Sequence, residues 1–453
     1  MALPLAAATA LDQLAPFGMR LGLERMATLL AALDHPERHC PAVLVAGTNG
    51  KGTVSALLDS FARAGRYRTG LYTSPHLETV EERIRVDGRA IAGEALGVHL
   101  ARVLAAAERT LDEPPTYFEA LTACAWLEFA ARKVELAIVE VGLGGRLDAT
   151  NTVAPILSVV TSIGFDHTEH LGTELAAIAR EKAGVFRPGT PVVSGVRAPE
   201  AADELRVAAA RLGAPFIEAH EELRLEALQR HRPFSGRAGQ RIWYRPSSGA
   251  GLEVFELPLP GRHQADNLAV AAVAARELRT LGWERLTPRA LERGSAAARW
   301  PGRLEEVVLP RGERVLLDGA HNAEGAAVLA DHLATTGVPY RLLFGVLMDK
   351  DGAAMLETLG RHAQSVVLTT VGVPRARPAD ELAPWVPAGR QVTLEPEPER
   401  ALLRALEKIG QETVLVIAGS LYLVGQMREA LRRGWGVPPP ATDLVSVAPK
   451  KAS

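Results

Sequence analysis

The stretch that most restricts the fold is Ala42–Ala64. Val43-Leu44-Val45-Ala46 is a short apolar run of the kind that forms a buried strand. It passes straight into Gly47-Thr48-Asn49-Gly50-Lys51-Gly52-Thr53, and a helical pattern follows, beginning at about Thr53 and reaching Ala64. Strand, glycine loop and helix in that order suit a phosphate. Glycines let backbone N–H groups turn in around the anion, and the helix start adds free N–H groups and the positive end of its dipole. Lys51 can neutralise the β- and γ-phosphates of a nucleotide, and Thr53 offers a hydroxyl to Mg²⁺. Gly52 separates Lys51 from Thr53, a departure from strict P-loop spacing that leaves a plain glycine turn with a solvated lysine as the alternative. The strand context and three glycines around one lysine favour a nucleotide phosphate, and ATP is expected.

The same rhythm continues downstream. Residues 136–141, 156–162 and 192–194 are further apolar runs, with amphipathic stretches at 117–132 and 174–183 between them. That alternation predicts a parallel sheet with helices on both faces. Residues 230–257 collect Gly, Ser, Pro and Arg around β-like pieces at 241–244 and 252–257, and predict a peripheral hairpin; a helix is expected over 267–281. Trp300-Pro301-Gly302 ends the helical pattern before it and reads as a boundary. The β/α rhythm then restarts, with strands expected at 314–317, 340–345, 365–370 and 413–418. The expected fold is α/β: a doubly wound, mostly parallel P-loop domain over 1–298, a smaller Rossmann-like ligase domain over 299–436, and a disordered tail over 437–453.

At 453 residues the chain is long enough for two or three domains. Its formal charge is 51 − 53 = −2, so no basic field is available to attract nucleic acid. The two cysteines, Cys40 and Cys124, cannot build a disulfide framework or a multi-cysteine zinc site. No run approaches the roughly 18 apolar residues of a membrane span. The Ala-rich start lacks a positive region and reads as the beginning of a helix. A cytoplasmic monomer is the expectation.

Three further groups carry chemistry. Glu140 ends the apolar run at 136–139, and a carboxylate at the C-terminal end of a buried parallel strand points into the crevice where such sheets bind ligands. Beside a P-loop that is a position for holding Mg²⁺; alone it would be a solvated strand-end glutamate. Ile163-Gly164-Phe165-Asp166-His167 closes another run; its imidazole can ligate a metal or orient water or phosphate, although a lone Asp-His pair is more often a structural hydrogen bond. His170 follows, but no third ligand nearby supports zinc. Lys182, in Arg180-Glu181-Lys182-Ala183-Gly184, would by itself only complement a helix dipole.

In combination the motifs are far more specific. The 47–53 loop, Thr73-Ser74-Pro75-His76-Leu77 and the string Glu140-Val141-Gly142-Leu143-Gly144-Gly145-Arg146-Leu147-Asp148-Ala149-Thr150-Asn151 resemble the folylpolyglutamate synthase and bifunctional dihydrofolate synthase family, within the wider Mur ligase superfamily. The likeness begins at Phe17-Gly18-Met19 and continues through 161–167, 180–184, Gly261-Arg262-His263-Gln264-Ala265-Asp266-Asn267, Gly302-Arg303-Leu304-Glu305, Leu317-Asp318-Gly319-Ala320-His321-Asn322 and Gly419-Ser420-Leu421-Tyr422. It spans about residues 10–435.

The resemblance implies roles. Glu140 and His167 look like Mg²⁺ ligands, with Thr53 and Ser74 on a neighbouring metal or its waters. Lys182 looks like the family's carbamylated lysine, an anion able to meet a second Mg²⁺. Asn267, Arg303 and Asp318 look like nucleotide contacts, Phe118 and Asp148 like pterin-side contacts, and His321 and Ser420 like residues near an incoming glutamate. Lys51, Lys182, His321 and Asp148 are the implied catalytic set. The implied reaction is ATP-dependent amide formation between L-glutamate and dihydropteroate or a reduced folate, through an acyl phosphate kept from water by domain closure. The stretch at 116–119 resembles bifunctional bacterial enzymes; a monovalent-cation requirement is left open. Ala323 stands where the family commonly has proline. A UDP-muramyl peptide ligase is the nearest rival, and the strings at 142–151 and 180–184 favour the folate branch. A nucleotide-switched binding module would not need Glu140, His167, Lys182 and His321 together. A nicotinamide dehydrogenase is disfavoured because Gly142-Leu143-Gly144-Gly145 lacks the dinucleotide spacing.

Overall fold

The computed structural model describes residues 3–14, 20–166, 169, 172–236, 238–407, 409–410 and 412–436. His167, His170, the 17–19 motif and the expected tail from 437 lie outside the described residues.

Eight strands make the first sheet: β1 (Ala42–Ala46), β2 (Thr69–Tyr72), β3 (Ile84–Val86), β4 (Arg89–Ala90), β5 (Leu136–Glu140), β6 (Leu157–Val160), β7 (Val192–Ser194) and β8 (Phe216–Glu218). Their order is β4-β3-β2-β5-β1-β6-β7-β8. Every pair from β2 to β8 is parallel, and β3 and β4 are added antiparallel at one edge. β1 is buried at all five positions, as a parallel strand covered on both faces must be. Its side chains alternate between two cores. Ala42, Leu44 and Ala46 join Trp126 and Phe129 on one side; Val43 and Val45 join Leu57, Phe61 and Leu268 on the other. The helix Lys51–Ala64 leaves β1 along this second face. Because β1 lies between β5 and β6, the chain ends of these three strands open onto one crevice.

The hairpin expected around 230–257 is instead a three-stranded antiparallel sheet, β9 (Leu223–Arg230), β10 (Gln240–Pro246) and β11 (Glu253–Leu257). β9 escaped notice because Leu-Arg-Leu-Glu-Ala-Leu-Gln-Arg is made of good helix formers. Nor is the sheet merely peripheral. Ile242, Tyr244, Phe255 and Leu257 close the core over the helix Arg262–Thr280, and the Tyr244 hydroxyl donates to the Ala265 carbonyl at 2.5 Å. That helix starts five residues before the expected 267.

The third sheet has the order β12-β13-β17-β14-β15-β16, from β12 (Glu305–Val308), β13 (Arg314–Leu317), β14 (Tyr340–Phe344), β15 (Ser365–Leu368), β16 (Gln391–Leu394) and β17 (Val414–Ala418). Only the β12–β13 pair is antiparallel. The four inner strands match the sequence expectation. The edge strands β12 and β16 do not stand out in sequence, because they are partly exposed and mixed in composition.

A buried charge cluster joins the two larger sheets. Arg428, on the helix Leu421–Trp435, pairs with Glu78 from the loop after β2 and with Glu305 of β12. Arg432 takes the other oxygen of Glu78 at 2.7 Å. The Arg428 and Glu78 side chains are 4% and 2% exposed, so solvent cannot replace a lost partner. Glu78→Ala is expected to cost about 3 kcal/mol in chemical denaturation, and Glu78→Gln less, because the amide keeps one hydrogen bond.

Candidate active site

The 47–53 loop is clamped from behind by the segment that follows β6. Thr48 N–H donates to Ser162 O at 2.8 Å, Asn49 N–H to Ser162 Oγ at 3.0 Å, and Thr161 Oγ1 donates to Asn49 O at 2.7 Å. Gly50 caps the helix with φ +84°, a backbone that side chains disfavour. A Cβ there would also meet Asn267 Oδ1 at 2.4 Å. Gly52, the departure from P-loop spacing, has a packing cause. A Cβ on it would lie 2.6 Å from the Trp300 ring, so the indole of the interdomain linker rests on the helix start.

Two lysines converge on this loop. Lys51 Nζ donates to Gly47 O at 3.0 Å and Thr48 O at 3.1 Å. Lys182 Nζ donates to Gly47 O at 2.9 Å and is 3% exposed. It does stand in the last turn of its helix, as local sequence suggested, but its amine is turned into the site. Burial, and then the neighbouring Lys51 charge, lower its amine to about 7; burial likewise lowers Lys51.

Glu140 ends β5 beside the loop. Its Oε2 accepts the Ser74 N–H at 3.0 Å, and no described residue donates to its other oxygen. Burial raises its carboxyl, opposed first by Lys51. Glu140 with the hydroxyl residues Thr53 and Ser74, all lining the crevice, makes a hard-oxygen donor set of the kind Mg²⁺ takes, few in number because that ion keeps waters and phosphate oxygens. The residues fit the ion.

Asp148 and Phe118 are adjacent, but they differ in what they offer. Asp148 Oδ2 accepts Leu143 N–H at 2.8 Å, and its Oδ1 accepts both Thr150 N–H and Oγ1–H, at 3.0 and 2.6 Å. It therefore folds the 142–150 loop first of all. The Phe118 ring covers that loop, since a Cβ on Gly142 would meet its Cζ at 2.7 Å.

The third sheet supplies the opposite wall. Asp318 Oδ2 and Oδ1 accept the N–H groups of Leu304 and Ala320, both at 2.9 Å. Leu304 has φ +47°, so this carboxylate also holds a strained linker residue in place. Arg303 lies against Gly319, whose added Cβ would meet its Nη1 at 2.5 Å. Asn322 Oδ1 caps the helix Ala323–Thr336 through Gly325 N–H at 2.8 Å. Position 323 is thus the first helical residue, where proline and alanine serve equally well. Asn322 Nδ2 donates to Asn49 Oδ1 at 3.2 Å, and Asn49 Nδ2 to Glu324 Oε2 at 2.7 Å, tying the two walls together. Ser420 caps the helix Leu421–Trp435, its Oγ accepting the Tyr422 N–H at 3.2 Å.

Between these walls lies a crevice of about 1360 Å³. It brings together Lys51, Thr53, Ser74, Phe118, Glu140, Asp148, Lys182, Asn267, Arg303, Asp318, His321 and Ser420, along with the rest of the 47–53 loop. Among the described residues no expected site residue falls elsewhere.

Residues 45–275 match the Mur ligase middle domain, and residues 302–421 match the Mur ligase glutamate ligase domain. A curated dihydrofolate synthase/folylpolyglutamate synthase of Bacillus subtilis is 36% identical over 425 residues, covering 92% of this chain and 96% of that protein. The chain belongs to the folylpolyglutamate synthase family of Mur ligases. Among solved structures, Mycobacterium tuberculosis folylpolyglutamate synthase complexed with ADP has a TM-score of 0.85 at 31% identity, over 96% of this chain and 98% of that one. A bifunctional folylpolyglutamate synthase/dihydrofolate synthase with Mn, AMPPNP and L-glutamate bound has a TM-score of 0.79 at 31% identity, over 94% and 98%.

Several residues of this family member were given no site role in sequence. Trp300 packs on Gly52. Asp166 pairs with Lys350 across the seam at 2.6 Å. Arg83 lines the crevice although it is 7% exposed; its Nε donates to His76 Nδ1 at 2.9 Å and its guanidinium stands 5.2 Å from the Tyr117 ring centre. Burial, and then Arg83, hold His76 neutral, lowering it to about 3. No local pattern marks these groups; each becomes notable only through a neighbour distant in the chain.

Proposed function

We propose that this chain is an ATP-dependent ligase that joins L-glutamate to a folate-type carboxylate, using dihydropteroate and reduced folates alike. The observation that carries the reading is the single crevice in which a phosphate loop with one buried lysine, Lys182, and one half-buried lysine, Lys51, faces Asp318, His321 and Ser420 of a second α/β unit. A carboxylate resists amine attack at neutral pH; phosphorylation to an acyl phosphate supplies a leaving group.

Each group then has a task. The loop N–H groups and the helix start receive the β- and γ-phosphates, and Lys51 moves from the Gly47 and Thr48 carbonyls onto them. Glu140, with Thr53 and Ser74, holds a divalent metal, which when bound supplies charge neutralisation between two anions. His167 completes that set by family resemblance. The neutral form of Lys182 is nucleophilic enough to take up CO₂, and its carbamate would face the same anions as a further metal ligand. Arg303, Asn267 and Asp318 hold the nucleotide. Phe118 covers the acceptor side, where Asp148 keeps the glycine loop in shape. Contacts such as Asn49–Asn322 and Glu78–Arg428 draw the two walls together and keep water from the acyl phosphate.

The test is ADP release by the purified protein with Mg²⁺, ATP and glutamate, using dihydropteroate and tetrahydrofolate in parallel. Glutamate-dependent ADP formation with both acceptors is the expected outcome. No release with either would sink the reading; release with one alone would make the enzyme monofunctional.

A further inference from the structure

A second cavity, of about 520 Å³, lies against β9 and shares no lining residue with the crevice. Arg230, the last residue of β9, lines it together with Leu225, Glu226 and Leu228 of the same strand. Arg262 lines it as the first residue of the helix Arg262–Thr280, whose cap Gly261 has no side chain to offer the free N–H groups of that helix start. Thr335 lines it from the second unit, on the helix Ala323–Thr336. His332, one turn earlier, shares the Thr335 face of that helix.

These walls hold basic donors without acceptors. Arg230 Nη1 and His332 Nδ1 are buried, and neither has a hydrogen-bond partner among the described residues. His332 as a whole is 7% exposed. Burial, and then Arg230, lower its imidazole to about 4. His263, next to Arg262, is lowered to about 4 by burial, and then by His332, Arg303 and Arg230. Among the described residues, the charges acting on the two rings are thus all basic. Glu226, the acid in the wall, is taken up by Arg245 at 2.8 Å. A buried donor without an acceptor is costly, and an anion in the cavity is what these groups lack.

We propose that this cavity is a site for a phosphate dianion, free or as the monoester of a small molecule, held between the two units. Its donors come from three separate elements, which suits a tetrahedral phosphate better than a planar carboxylate, and guanidinium groups match phosphate oxygens in pairs. Leu225 and Leu228 leave an apolar side for the body of an ester. The site is independent of the ligase reading, which places no group here. A ligand shared by β9, the helix start at Arg262 and the helix bearing His332 braces the seam between the units. Both helices also reach the crevice, since Asn267 stands on the first and Asn322 caps the second.

The experiment is equilibrium dialysis of the full-length protein with inorganic phosphate, and in parallel with phenyl phosphate, while saturating ADP and Mg²⁺ occupy the 47–53 loop. The parent is expected to bind one equivalent. Arg230→Met should weaken that binding at least about tenfold, and His332→Phe should weaken it too, while affinity for ADP stays within about threefold. Tighter binding of phenyl phosphate identifies an ester as the ligand; equal or weaker binding identifies the free ion. Folding gives a second readout. In phosphate-free buffer Arg230→Met should be no less stable than the parent, because it removes an unpaired buried donor. Phosphate should raise the melting temperature of the parent and leave that of the variant unchanged. No binding of either probe up to about 10 mM, or binding and stabilisation unaltered by Arg230→Met, would overturn the proposal.

Discussion

Lys182→Ala is expected to lower turnover by about 10³-fold and leave the fold intact, the scale seen when a preorganised charge is removed from a transition state. The side chain is 3% exposed, and its amine sits on the Gly47 carbonyl beside a second lysine. A permanent cation there would be costly. An amine lowered to about 7 by burial is instead neutral in half its copies at neutral pH, and the neutral amine is the form that combines with CO₂. The sign follows. Below pH 7 the amine protonates and the carbamate is lost, so turnover at fixed dissolved CO₂ should fall at least about tenfold per pH unit and recover as CO₂ is raised. Formate or acetate should restore part of the Lys182→Ala activity by standing in for the missing carboxylate. Rescue by methylamine, or indifference to CO₂, would show that the lysine works as a cation. The stability argument has a sign of its own. The folded value lies below the ordinary 10.5, so the unmodified lysine destabilises the fold most below pH 7, and the cost fades as pH rises towards 10.5. Lys182→Met should therefore be more stable than the uncarbamylated parent at pH 6, which separates lost catalysis from lost folding.

Glu140→Gln should lower turnover by at least about 100-fold and raise the Mg²⁺ concentration needed for half-maximal rate, since a metal's charge stabilisation is a matter of several kcal/mol. The glutamine oxygen can still accept the Ser74 N–H that Glu140 takes at 3.0 Å, so the loop stays in place and only the charge is removed. Burial raises the Glu140 carboxyl above 4.5. Its neutral form is thus the better-tolerated one in the folded protein, and the cost of ionisation appears as pH rises through the folded value. Metal-free Glu140→Gln is accordingly expected to be no less stable than the parent at pH 8, with the difference closing as pH falls towards 4.5. Unchanged Mg²⁺ dependence would remove Glu140 from the metal site.

Much of this arrangement was legible from the chain because its chemistry is local. Val43–Ala46 running into the glycine loop is one continuous strand, turn and helix, and its phosphate geometry is written in consecutive residues. The string at 140–151 is equally continuous, and Asp148 shows why: its carboxylate holds Leu143 and Thr150, five and two residues away. The inner strands of both parallel sheets were also readable, because burial on both faces requires unbroken apolar runs. The exposed edge strands β12 and β16, and β9 with its helix-forming composition, were not, since their pairing decides their state.

Taken alone, the sequence determined that a phosphate loop opens an α/β unit, that a second α/β unit follows Trp300-Pro301-Gly302, and, through the resemblance, which reaction the two perform. Tertiary structure alone decided what the loop's odd glycine is for and what state its lysines are in. Gly52 is small because Trp300, 248 positions later, rests on it. Lys182 by its local sequence only complements a helix dipole, until the fold buries it against Gly47. Asp166, in sequence only a neighbour of His167, meets His321 because the second unit sets the two side chains 3.6 Å apart. The physical reason is common to all three: desolvation and short-range contact depend on distance through space, and spacing along the chain does not encode that distance for groups brought together from different elements.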